Sequence, residues 1–368
     1  MTASNGPNPP PFGPPSGQYP QQYPPVFFPP PMYYPPQPSR GGGGGFARAI
    51  FTTLAVSILG FSITLNIYLL IAQGFFSGSA GSVGRTVITD GDTATMIAVV
   101  PVHGAIRDKT ATHFREILKE LEADASLKAI VIDMNSPGGT VTASDDIYEQ
   151  ILDFKRNRGI PIFVAISELG TSGGYYVSCA ADQVFAQRTT WTGNIGVLIP
   201  RINLAKLGEK YGIEDQTVTS TGATFKNAGS PLKSDTPEQT AYWQGLTDEA
   251  FAVFKSVVMT GRKLDQATVD RIANGKVYTG NEALKLKLVD SIGNLEDAVG
   301  AAAARAGVSR PHVVRLERHL SFMEALSGEE KSESALGSIR VGNTEVKLDQ
   351  RLLDNIISPR PLYLWSGQ

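Results

Sequence analysis

Cysteine occurs once, at Cys179, in 368 residues. An internal disulfide framework is therefore excluded, and so is a cysteine-based zinc cage. Histidine is almost as scarce, at four positions: His103, His113, His312 and His319. None lies in a small-residue motif, and no His-Glu-x-x-His is present. His103 reads as a strand end and His113 as part of a helix surface. A conventional serine–histidine triad would need the fold to carry one of the four to a distant serine. Charge of one sign is also lacking: 33 Lys and Arg stand against 35 Asp and Glu, a net of −2. There is no basic surplus to hold phosphates, so nucleic acid is not expected as a partner.

Charge is missing locally as well. No acidic residue and no lysine precedes Arg48, and no charged residue lies between Arg48 and Arg85. Residues 1–45 are Pro, Gly, Tyr and Gln in low complexity, ending in Gly41–Gly45. Such a stretch buries too little apolar surface to offset its ordering entropy, and it reads as a disordered tail. Residues 49–72, AIFTTLAVSILGFSITLNIYLLIA, run 24 residues without a charge. A bilayer core takes about 20 residues of helix, so this segment reads as one transmembrane helix. It is too long and begins too late for a cleavable signal peptide. Arg40 and Arg48 precede it, which predicts a cytoplasmic N-terminus and an extracytoplasmic remainder at the cell membrane. Residues 73–95, rich in Gly, Ser and Thr, read as a linker.

From Met96 the pattern alternates between strand and helix signals. Strands are expected at Met96–Val102, Leu127–Met134, Pro161–Ile166 and Val184–Ala186. Helices are expected at Thr110–Ala123, Val141–Arg158, Gly173–Ala181, Pro237–Arg262 and Gln266–Ala273. Repeated β–α units imply an α/β fold with a parallel sheet. No internal repeat stands out, so 96–309 reads as one domain and 310–368 as a C-terminal extension. Its SPRPLYLWSG tail reads as a packing strand, with a subunit groove or the membrane surface as alternatives.

Three groups carry chemistry. Ser172 follows a strand and a loop and opens a small-residue helix, where unpaired N–H groups favour negative charge. Gly173 and Gly174 leave the backbone open to a peptide. An ordinary N-cap serine has the same local sequence. Ser136-Pro137-Gly138-Gly139 also joins a strand to a helix, and its N–H groups could face the same crevice. Gly139 and Gly173 are the candidate oxyanion donors, although a plain glycine turn reads alike. Lys226 is the only charge in TVTSTGATFKNAGSPL, residues 217–232. An exposed loop lysine is one reading. A buried lysine, its cation disfavoured by desolvation, is the other, and would serve as a base.

Together these segments resemble the signal peptide peptidase A family of Ser–Lys proteases, over about residues 95–300. The resemblance rests on NSPGG at 135–139, TSGGYYVSCAAD at 171–182, TGNIGV at 192–197 and GATFKNAGSP at 222–231, with GKVYTGNEALKLKLVDSIG at 275–293. It implies the Clp-protease/crotonase type of ββα spiral. It also implies Ser172 as nucleophile, Lys226 as general base, and Gly139 and Gly173 as oxyanion donors. In that family the lysine is expected from a neighbouring subunit of a ring, an octamer. Substrates implied are remnant signal peptides or other hydrophobic peptides, with no metal or cofactor. Two positions depart from the pattern: Asn194 stands where the family more often has serine, and Lys287 where glycine is common. The rival readings are a crotonase-fold acyl-CoA hydratase or isomerase, and a non-catalytic membrane scaffold.

Overall fold

A computed structural model of the chain describes residues 44–77, 83–318, 336–341, 344–349 and 362–364. Nearly all of the tail read as disordered, and His319, lie outside these residues. The chain divides into two units, Met1–Asn66 and Ile67–Gln368. Helix α1 runs Gly44–Ser77. Its stretch Gly45–Leu69, 25 residues, is long and apolar enough to cross a membrane. At about 1.5 Å per residue that stretch exceeds a hydrocarbon core of about 30 Å. Thr52, Thr53 and Thr64 turn their hydroxyls back to carbonyls one turn earlier. These hydroxyls are thereby satisfied within the helix, as a hydrocarbon surrounding would require.

The sheet begins where a linker was expected. β1 is Val83–Thr89, followed by β2 at Asp92–His103, α2 at Asp108–Glu122, β3 at Leu127–Ser136 and the short β4 at Gly138–Thr140. Next come α3 at Val141–Arg158, β5 at Ile162–Thr171, α4 at Gly173–Ser178, β6 at Gln183–Ala186 and β7 at Trp191–Gly193. After a largely exposed stretch with α5 at Ala205–Tyr211 come α6 at Pro237–Arg262, α7 at Gln266–Ile272, β8 at Val277–Thr279 and α8 at Gly280–Lys285. β9 at Ser291–Ile292, α9 at Leu295–Arg305 and β10 at Pro311–Arg318 complete the main body. β11 at Leu336–Val341 pairs with β12 at Thr344–Asp349, and β13 is Leu362–Leu364.

Among the described residues one nine-stranded sheet runs β1-β10-β2-β3-β5-β6-β9, with β7 beside β5 and β8 beside β7. From β10 to β9 the neighbours are parallel, as the β–α alternation requires. The α/β expectation holds. Side chains alternate between the two faces. Ala98, Val100, Ile130, Ile132, Val164 and Ile166 pack into the larger core with α2, α3, α4 and α6. Ile97, Ala129, Val131, Phe163 and Ala165 face Ala298, Ala302 and Ala303 of α9. Such strands, buried on both sides, read as unbroken apolar runs.

Two boundaries differ from expectation. β10 lies inside the sheet between β1 and β2, although residues from 310 onward read as an extension. β1 pairs antiparallel with β10 through Val83–Thr89, inside the expected linker. Both strands are fixed by partners more than 200 residues away in sequence, which local composition cannot express.

Candidate active site

β3 and β5 set the site. Their parallel register places Ser136 beside Gly170, two residues before Ser172. β5 runs to Thr171, so no loop separates strand from serine as the sequence suggested. Parallel strands gather functional groups at their carboxyl ends, and Ser136, Thr171 and Ser172 all lie at that edge.

Ser172 makes the turn from β5 into α4 with φ 55° and ψ −116°. A non-glycine residue there carries strain of about 1–3 kcal/mol. The turn is held from both sides: the Ser172 N–H donates to the Gly193 carbonyl at 2.7 Å, and its carbonyl accepts from the Tyr176 N–H at 2.8 Å. α4 is buried throughout, with the Tyr175 hydroxyl donating to the Leu288 carbonyl and the Tyr176 hydroxyl to Asp145. The Ser172 side chain makes no capping bond. Its Oγ is buried and lacks a hydrogen-bond partner among the described residues. The N-cap reading therefore fails: the hydroxyl is not used to stabilise the helix.

The two expected oxyanion glycines are brought together. A Cβ built on Gly173 would lie 3.1 Å from the Gly139 nitrogen, and one on Gly138 would lie 2.7 Å from the Gly173 nitrogen. A side chain at Gly139 would fall inside the Ile106 carbonyl. Ser144 lies against Gly173 from α3, and its hydroxyl donates to the Thr140 carbonyl at 2.9 Å. Sequence reading passed over Ser144, because its signal is only its place four residues into α3.

Lys226 is not beside Ser172 within one chain. It lies in a turn, its N–H donating to the Ala223 carbonyl, and its side chain is exposed. No hydrogen bond joins it to Ser172. The burial expected of a base is absent in the single copy. Apolar side chains in the sequence leading up to it are exposed too: Tyr211, Ile213, Val218 and Phe225, with Val218 94% accessible.

His103 and His312 are placed away from Ser172. His103 ends β2 and its Nε2 lies 3.2 Å from Asp133, which also takes Arg315 at 3.0 Å. Desolvation raises the Asp133 carboxyl, but His103 and Arg315 outweigh it and hold it below the usual carboxylate range. His312 pairs with Met96 near the start of β2, at the opposite edge of the sheet from Ser172. Asn194 keeps a positive φ of 54° and donates to the Gly275 carbonyl at 2.7 Å, and Lys287 also has a positive φ, 61°. A glycine at position 287 would meet that backbone without strain. Among the described residues no cluster of three His, Cys, Asp or Glu could hold a metal.

Comparison with known proteins agrees with this geometry. The model of peptidase family S49 matches residues 154–309, and that of Clp protease matches residues 84–183. A signal peptide peptidase SppA of Enterococcus faecium is 30% identical over 308 residues, covering 79% of this chain and 87% of that protein. Protease 4 of Haemophilus influenzae is 33% identical over 213 residues, covering 56% of this chain and 34% of that one. The chloroplastic serine protease SPPA of Arabidopsis thaliana is 30% identical over 217 residues, covering 58% and 32%. The chain thus spans about a third of these last two and most of the first. It belongs to the signal peptide peptidase A family, within peptidase family S49, and is a serine-type peptidase.

Proposed function

We propose that this is a membrane-anchored endopeptidase in which Ser172 is the nucleophile and Lys226 of a neighbouring copy is the general base. The observation that carries the reading is the Ser172 hydroxyl: buried, held at a strained turn, unpartnered, and beside two glycine backbones. A serine needs a base to remove its proton. Among the described residues no histidine hydrogen-bonds to Ser172, while Lys226 stands exposed next to exposed Phe225, on a surface that a second copy would cover. Once covered, the amine is dehydrated and its neutral form favoured.

The sequence of events follows. Neutral Lys226 accepts the Ser172 proton as Oγ attacks a peptide carbonyl. The N–H groups of Gly139 and Gly173 hold the oxyanion. Protonated Lys226 donates to the leaving amine. Water then attacks the acyl-serine, the lysine again taking and returning a proton. With α1 in the membrane, the domain faces out of the cytoplasm, following Arg40 and Arg48. Anchoring concentrates the enzyme near remnant signal peptides and other hydrophobic peptides released there.

The test uses full-length protein. Ser172→Ala and Lys226→Ala should each lower peptide hydrolysis by about 10³-fold or more. Co-assembly of the two inactive variants should restore part of the activity, since some sites then combine an intact serine with an intact neighbouring lysine. Wild-type rates in Lys226→Ala would remove the base, and no recovery in mixtures would place the lysine within one copy.

A further inference from the structure

A second group of charged side chains stands at the same edge of the sheet as Ser172 and takes no part in the chemistry above. His103 ends β2, Arg318 ends β10, and Arg107 leads into α2, which carries Lys109 and His113. With Glu317 they line a cavity of about 580 Å³. Three permanent cations, Arg107, Lys109 and Arg318, thus stand against one acid. Glu317 is itself drawn to Arg315 at 3.5 Å, while Arg318 shares its charge with Glu116 at 3.3 Å. Lys109 and His103 are exposed, so a solute can reach them.

Backbone joins this cavity to the oxyanion strand. The Gly104 N–H donates to the Asn135 carbonyl at 2.8 Å, and the Ile106 N–H to the Gly138 carbonyl at 2.8 Å. The Thr140 N–H returns a bond to the Ile106 carbonyl at 2.9 Å. The segment from His103 to Arg107 is therefore a wall of the cavity and the support of Gly139 at once.

Sheet order gives the separation. β10, β2, β3 and β5 are successive neighbours. His103 pairs with Asn135, and the next residue, Ser136, pairs with Gly170, so these strand ends stand in one row. Neighbouring strands lie about 4.8 Å apart, which puts the end of β2 about 10 Å, and the end of β10 about 15 Å, from the end of β5. An extended peptide covers that distance in about three to five residues.

Charge decides which half of a substrate suits the cavity. The half that acylates Ser172 begins in an amine, and the leaving half ends in a carboxylate. Only the second end attracts cations and takes charge-assisted hydrogen bonds from them. We propose that this cavity binds the free C-terminal carboxylate of the leaving half, about three to five residues beyond the cleaved bond. This rests on Ser172 as nucleophile. An intact polypeptide brings no such carboxylate within reach, so the site favours peptides already released by an earlier proteolytic cut.

The experiment uses full-length protein and one peptide sequence cleaved by wild type, made as the free acid and as the C-terminal amide. The cleaved bond stands about four residues from the end in a short pair and about twelve in a long pair. Fluorophosphonate labelling of Ser172 runs in parallel and shows that each variant is folded. Wild type should cleave the short acid with a KM about tenfold below that of its amide at similar kcat, and should treat the long pair alike. Lys109→Glu should erase the difference within the short pair, and Lys109→Gln should reduce it by about threefold. Equal KM for the short acid and amide would overturn the proposal, as would a difference that survives in Lys109→Glu. An equal advantage of the acid in the long pair would also overturn it, because that carboxylate lies beyond the cavity. Absence of Ser172 labelling in every protein would instead count against the serine, a distinct failure.

Discussion

Ser172 carries a backbone cost that a structural serine has no reason to carry. Glycine adopts a positive φ freely, so Ser172→Gly should stabilise the domain by about 1 kcal/mol while abolishing hydrolysis. Chemical denaturation of the two proteins checks it, and a destabilised Ser172→Gly would show that the turn is not strained. Asp133 gives a second test. Its folded value lies below the ordinary one, so its contribution is complete above about pH 4 and is lost as pH falls through the folded value. Asp133→Asn should flatten that part of the stability profile below about pH 4, read by denaturation at several pH values. Identical acid slopes would refute the His103–Asp133–Arg315 grouping as a source of stability. At this scale the motifs were legible as neighbours: the Gly138–Gly139 backbone lies against Gly173, the residue after Ser172. The strained φ was not legible, because serine does not announce it. Nor was the pairing of β13 with β4, which brings Tyr363 to Gly139 from more than 200 residues away in sequence.

Elements reach the site through close approaches. α6 passes α4 at Gly261, where a Cβ would fall inside the Cys179 carbonyl. Cys179 itself is fully buried, and desolvation pushes its thiol up to about 12 despite Arg262 nearby. It acts as a small apolar filler under α4 rather than as a reactive group. Gly261→Ala should therefore cost about 1–3 kcal/mol by overpacking and should slow hydrolysis, because α4 carries Ser172. Unfolding and activity measured on one preparation check both effects, and an unaltered Gly261→Ala would mean the two helices yield freely. Long periodic elements were read closely from sequence: α3 and α6 have the residues expected of them. Both carry their own stop and start signals, Gly159 at a left-handed C-cap and Thr236 with Gln239 in a capping box. The short strands β7, β8 and β9, of two or three residues, were missed. Pairing of β7 with β5, of β8 with β7 and of β9 with β6 makes them strands, and no periodicity shows in so few residues.

For the molecule as a whole, one copy holds a buried, unpartnered Ser172 hydroxyl and an exposed Lys226, and in the proposed mechanism assembly is what joins them. The long apolar helix α1, which fits a membrane anchor, was legible because an uncharged run of that length favours helix. The exposure of Lys226 was not, since a run of small and apolar residues reads alike in a buried segment and an exposed turn. The most direct measurement is mass-resolved labelling of full-length protein by a fluorophosphonate, alongside Lys226→Ala and Ser172→Ala. One adduct, on Ser172, is predicted for wild type, with labelling slowed by about 10³-fold in Lys226→Ala and absent in Ser172→Ala. Wild-type labelling in Lys226→Ala, or an adduct on a different residue, would contradict the account.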